Sequence, residues 1–155
     1  MTTPDASTMS ALESRVRRLE DLEAIRDITA RYGHSVSRGF AGRGIDWALF
    51  SSVFTDDAVW NSEFMKIHVT GRDAIVEDMH KQDGTGASVH AFINPVIDLD
   101  GDTATGRWVM PIGATQDDSN RSVYLCADLN YRRAEQGWRI SEVDLKFATA
   151  VVVSH

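Results

Sequence analysis

Little in this chain could staple it, anchor it or draw it to a polyanion. The single cysteine, Cys126, excludes an internal disulfide and suits a reducing cytoplasm. No apolar run comes near the ~20 residues that a membrane helix requires. The opening stretch MTTPDASTMS has neither a basic start nor an apolar core, so it does not read as a signal peptide. Basic residues are in deficit. Sixteen Lys and Arg stand against 23 Asp and Glu, a formal net charge of −7, which argues against nucleic acid or an anionic membrane as partner. The five histidines are scattered and no Cys/His spacing suggests zinc, so no metal site is expected. There is no internal repeat and no low-complexity segment.

What is present is enough for one globular domain with a real core: 155 residues, 43% hydrophobic and 25% charged. Residues 1–9 are polar and expected to fray, residues 10–150 to form the domain, and 151–155 to trail as a tail. Ser10 and Glu13 fit a capping box. Apolar residues then recur every three or four positions through Leu12, Val16, Leu19, Leu22, Ile25, Ile28, Tyr32 and Val36. That is one buried stripe on a long helix, or on two helices meeting near Glu20. Gly39 supplies the stop. Asp46 caps a short helix over 47–53, Thr55, Asp56 and Asp57 read as a turn, and strands follow at Ala58 and over 64–69. Gly71 leads into a third helix with Ile75, Val76 and Met79 inward. After a loop at 83–86 the pattern is β over 90–99, 103–115, 122–133 and 138–149, with turns at 100–101, 116–120 and 134–137.

Helices followed by long antiparallel strands predict an α+β fold in which a strongly curved sheet wraps the N-terminal helices. Such a sheet forms a cone, and the mouth of a cone is a natural ligand pocket.

Several segments resemble SnoaL-like proteins of the NTF2-like superfamily, the group of polyketide cyclases, dehydratases and ketosteroid isomerase. They are Leu22-Glu23-Ala24-Ile25-Arg26-Asp27 with Arg31-Tyr32, Asp46-Trp47, and Phe54-Thr55-Asp56-Asp57-Ala58-Val59-Trp60. Gly71-Arg72-Asp73-Ala74-Ile75, His90 with Asn94-Pro95, Asp100-Gly101-Asp102-Thr103-Ala104 and Gly137-Trp138-Arg139-Ile140 continue the likeness, which runs from about Leu19 to about Phe147. The resemblance implies a cone-shaped, cystatin-like barrel with a deep apolar pocket, assembled as a homodimer or homotrimer. It leaves the chemistry open.

His90 is the leading candidate for catalysis, because an imidazole can take a proton at neutral pH. In dehydratases and dehydrochlorinases of this type the matching histidine is the general base, partnered by an Asp five residues after the tyrosine matching Tyr32. Here that position is Ser37, and Ala114 stands where a second catalytic histidine would be. Alternation puts Tyr124, Cys126 and Asp128 on one strand face. The resemblance turns Cys126 and Asp128 into the cavity, where burial would raise the pKa of Asp128 and make it a proton donor. The alternative is an Asp paired with Arg107 or Arg133, and a Cys126 that only fills space. Tyr32 is either an oxyanion stabiliser or a core tyrosine. Asn94, held extended before Pro95, is a pocket polar group or a turn residue. Trp108, Met110 and Ile112 share a face and, with Trp60, describe an apolar wall.

These residues support a cofactor-independent lyase, isomerase or cyclase acting on a hydrophobic polycyclic, polyketide-like or steroid-like molecule. Two other readings stay open: a non-catalytic binding protein of the same fold, and the small subunit of a ring-hydroxylating dioxygenase. A large exposed apolar patch would favour the latter.

Overall fold

In the computed structural model, residues 5–39, 42–82, 86–116 and 119–154 are described. Helix α1 (Ala6–Val36) is one helix of 31 residues, not two. Its cap is not Ser10. The Asp5 carboxylate accepts the Thr8 N–H at 2.7 Å, so residues 6–9 are helical rather than frayed, and residues 1–4 lie outside the described residues. The stripe also divides. Ile25, Ile28, Tyr32 and Val36 are buried, but Leu12, Val16 and Leu19 are exposed, because residues 6–20 run past everything that packs on the helix. A 3.6-residue period marks an apolar face but not whether the chain itself covers it.

Helix α2 (Trp47–Ser52) is capped by Asp46 as expected, and is followed by β1 (Phe54–Ser62), β2 (Ile67–Thr70) and α3 (Arg72–Lys81). Strands β3 (Ser88–His90), β4 (Ile93–Asp100), β5 (Thr103–Gln116), β6 (Ser119–Ala134) and β7 (Gly137–Ser154) complete the fold. One seven-stranded sheet has the order β2-β1-β7-β6-β5-β3, with β4 also paired to β5, and it does not close on itself. All its pairs are antiparallel except β1 with β7.

The architecture is therefore the expected α+β arrangement, with three local corrections. Thr55 to Asp57 belong to β1, where the register with β7 shifts between Phe54 and Val59. The expected tail is strand through Ser154, since Val151, Val152 and Val153 pair with Ser122, Arg121 and Asn120. The strand expected over 90–99 is broken into β3 and β4: Asn94 has a φ of 51°, Pro95 offers no N–H, and the register with β5 shifts between Ile93 and Val96. The stretch 40–45, the expected loop at 83–86 and the expected turn at 116–120 lie partly outside the described residues, and His155 lies outside them.

The core fills the concave side of the sheet. Rows such as Trp108–Ala127–Leu145 and Gly106–Leu129–Val143 run across β5, β6 and β7. Facing them are Ile25, Ile28 and Tyr32 of α1 with Phe50 and Phe54, each burial contributing about 1.5–3 kcal/mol. A hydrogen-bond chain crosses this core. Trp108 Nε1–H donates to Tyr131 Oη at 2.9 Å, Tyr131 lies 2.7 Å from Thr29 Oγ1, and Thr29 donates to the Ile25 carbonyl at 2.8 Å. Gly106 leaves room for it, since a Cβ there would lie 2.8 Å from Trp108 Nε1. On the convex side Val89, Ile93, Val96, Val109 and Tyr124 are exposed. Among the described residues no helix is long and apolar enough to cross a membrane.

Candidate functional site

Two close contacts between α1 and β3 fix His90. Gly33 has no Cβ, and one added there would sit 3.1 Å from the His90 carbonyl and 3.2 Å from the Phe92 ring, so glycine lets the helix lie on the strand. Ser37, the buried C-cap of α1, donates to the Gly33 carbonyl at 2.7 Å and accepts the His90 backbone N–H at 2.9 Å. The serine in the carboxylate position therefore holds the backbone of His90 and not its ring. The ring's Nδ1 is buried and has no hydrogen-bond partner among the described residues. Burial first, and the positive charge of Arg38 second, push the imidazole pKa from its ordinary 6.5 down to about 4. At neutral pH it is uncharged.

Tyr32 is buried against Phe50, Phe54 and Phe92. Its Oη accepts Trp60 Nε1–H at 2.9 Å, and burial pushes its pKa up to about 12. It thus keeps its proton. This Trp–Tyr pair repeats the Trp108–Tyr131 pair with one difference. Tyr131 hands on to Thr29, whereas the proton of Tyr32 meets no acceptor among the described residues. An accepted hydrogen bond makes a hydroxyl a better donor.

His90, Tyr32, Trp60, Met110 and Ile112 line one cavity of about 400 Å³ together with Ile45, Phe64, Met65, Met79 and Leu145. Its polar lining, besides His90 and Tyr32, is Arg38, Gln82, Ser88 and Arg121. The sequence reading missed both arginines. Arg121 was accessible to it, lying two residues before Val123 on the inward face of β6. Arg38 follows directly on a helix end, where no period applies.

Five expected site residues lie elsewhere. Alternation grouped Tyr124, Cys126 and Asp128 correctly, but the facing taken from the resemblance is reversed: Leu125, Ala127 and Leu129 fill the core, and the other three face out. Asp128 is no buried proton donor. Lys146 at 2.7 Å, and Arg107 at 3.3 Å, outweigh partial burial and hold its carboxyl below the usual range. Cys126 lies beside it, its thiol pKa raised chiefly by burial. Asn94 is exposed, turned away by the break after β3. Trp108 does face inward, but it is spent on the core pair with Tyr131 and does not line the cavity.

A second hollow, of about 460 Å³, opens at the β6–β7 turn and is lined by Arg72, Arg132, Arg139, Asp56 and Asp57 among others. Arg72 pairs with Asp56 at 2.7 Å and Arg132 with Asp57, so this is a solvated ion-pair surface. Among the described residues no cluster of three or more His, Cys, Asp or Glu could hold a metal ion.

A family model described as a SnoaL-like domain matches residues 17–144. Among solved structures, the chain is similar to an NTF2-like protein with a cystatin-like fold from Novosphingobium aromaticivorans. Identity is 25% and the TM-score 0.73, over 94% of this chain and 92% of that one. It is also similar to hexachlorocyclohexane dehydrochlorinase LinA-type3 from Novosphingobium barchaimii, at 15% identity and a TM-score of 0.75, over 90% of this chain and 94% of that one. A provisionally assigned scytalone dehydratase from Novosphingobium aromaticivorans shows 17% identity and a TM-score of 0.74, over 86% and 88%. These likenesses establish the NTF2-like, cystatin-like fold. No curated protein matches the chain in sequence.

Proposed function

The chain belongs to the SnoaL-like domain family, and from that premise we propose that it is a cofactor-independent acid/base enzyme acting on a hydrophobic small molecule of polycyclic, polyketide-like or steroid-like kind. One observation carries this reading: a neutral imidazole and a polarised tyrosine O–H line the same apolar cavity. His90 takes a proton from a carbon beside a carbonyl or a leaving group. Tyr32 donates a hydrogen bond to the oxygen on which charge develops. The names of two similar structures, a dehydrochlorinase and a dehydratase, describe eliminations, which begin with such a proton transfer.

The test is exchange of the α-protons of 2-tetralone in D2O, followed by NMR. The protein accelerates exchange, and His90→Gln abolishes the acceleration while 2-tetralone still binds. Equal exchange with both proteins would remove His90 from the chemistry. The binding-protein reading is favoured by one feature, the absence of a carboxylate on the ring of His90 among the described residues, and it predicts binding with no exchange by either protein.

We further assign the apolar residues of the convex sheet face to contact between copies of the chain, as a homodimer or homotrimer. Sedimentation velocity should show the oligomer for the native chain and a monomer for Val109→Glu. The same face would suit a large oxygenase subunit, and a native chain that sediments as a monomer would favour that occupant.

A further inference from the structure

The cavity wall carries its charge in one row. Arg38 bridges to Ser88, Ser88 pairs with Ala114, and Ala114 pairs with Arg121, so the four residues cross the sheet side by side. Strands lie about 4.8 Å apart, which places the two arginine backbones about 14 Å from each other with only a serine and an alanine between them. Two long side chains thus rise from the ends of a row whose middle is small, and both line the cavity. Arg38 is fixed there by its Nε–H, which donates to the Gly86 carbonyl at 3.0 Å. The adjacent row on the same face is His90, Ile112 and Val123. No Asp or Glu occurs among the described residues that line the cavity. In a chain of net charge −7 this is a local reversal of sign, and a low-dielectric cleft concentrates it.

We propose that the cavity takes ligands bearing a carboxylate on an apolar ring, the ring seated among Trp60, Met110 and Ile112 and the carboxylate at the Arg38–Arg121 row. This rests on the reading of the cavity as the ligand site. Guanidinium is the side chain best matched to a planar carboxylate, which it can bind through two parallel N–H donors. The proposal also gives His90 what Ser37 does not supply. A carboxylate one row away favours the imidazolium, so the ligand itself brings the negative charge that would steady a proton on the ring. The titratable or charged groups facing His90 across the cavity are Tyr32 and Arg38 at the end of α1 and Arg121 of β6. Among the described residues, β3, β4 and β5 add none to its lining.

The experiment is calorimetric titration of the full chain at pH 7 with 2-naphthoate and with neutral 2-naphthamide. Naphthoate should bind about tenfold more tightly, the discrimination expected of one charge-assisted pair. Arg121→Gln should remove most of that preference by weakening naphthoate alone, and Arg121→Lys should restore part of it. NMR titration of the His90 ring should show it protonating at higher pH with naphthoate bound than free. Equal affinities, or an unchanged preference in Arg121→Gln, would overturn this inference and leave the apolar site standing. Failure of both compounds to bind would overturn the site and the inference together.

Discussion

Acidification should cost this protein stability through His90 before its carboxylates begin to titrate. In the unfolded chain the imidazole binds a proton near 6.5, but in the folded protein only near 4, chiefly because the ring is buried. Between those values the unfolded state holds more protons, so the contribution is fully present above pH 6.5 and is lost as pH falls toward 4. The separation corresponds to about 3 kcal/mol in all, of which about 2 kcal/mol should be gone by pH 5. Urea unfolding at fixed ionic strength, from pH 7.5 to 4.5, would measure it in the native protein and in His90→Gln. Glutamine cannot ionise, and the carboxylates contribute alike to both proteins, so the difference between the curves isolates the histidine. The native protein should lose ground to the variant steadily through this range. Parallel curves, or an imidazole NMR signal titrating near 6.5, would refute the assignment of a buried, unassisted ring.

Three further substitutions test other parts of the structure. Tyr131→Phe leaves the buried Trp108 N–H without its acceptor and should cost about 1–3 kcal/mol in urea unfolding, with 2-tetralone binding retained. Gly106→Ala drives a methyl group against Trp108 Nε1 and the Tyr131 ring and should cost about 1–3 kcal/mol, visible as a lower Tm. Asp128→Asn removes the pairs with Lys146 and Arg107, which are partly exposed, and should change stability by less than about 1 kcal/mol. It should leave α-proton exchange unchanged, and a large loss of exchange would restore Asp128 to the chemistry.

Class and element order were readable from the sequence because each element has its own period. The inward residues of β5 and the cap at Asp46 follow from local rules. Gly39 does not supply the stop: α1 ends at Val36 with an extended Ser37 as its cap, and the left-handed turn at Gly39, with a φ of 78°, comes two residues later. Facing was harder. On β6 the two alternating sets, Tyr124-Cys126-Asp128 and Leu125-Ala127-Leu129, both contain apolar residues, and period 2 separates them without saying which is inside. Here the uncharged set is the buried one. The exposed half of α1 misled for a related reason, since a stripe reports apolarity and not a neighbour. The break between β3 and β4 depended on a left-handed Asn94, which its sequence neighbours did not announce. At the site, Ser37 was visible as the missing acid, but its actual task could not be read. That task depends on the distance between a helix end and a strand remote in sequence, and Gly33 sets that distance.

The parallel pairing of β1 with β7 has a consequence for how the chain is made. It joins the first strand to the last, and it alone ties the β1–β2 hairpin to the rest of the sheet. The strands β4 to β7 can zip progressively through neighbours in sequence, but β1 must wait for residues emerging some eighty positions later. During synthesis the early helices and the first hairpin therefore stand without their floor until β7 has emerged. Pairings so remote slow folding. They also mean that a truncation within β7 should leave the first hairpin without its seat in the sheet, whatever happens to the meander.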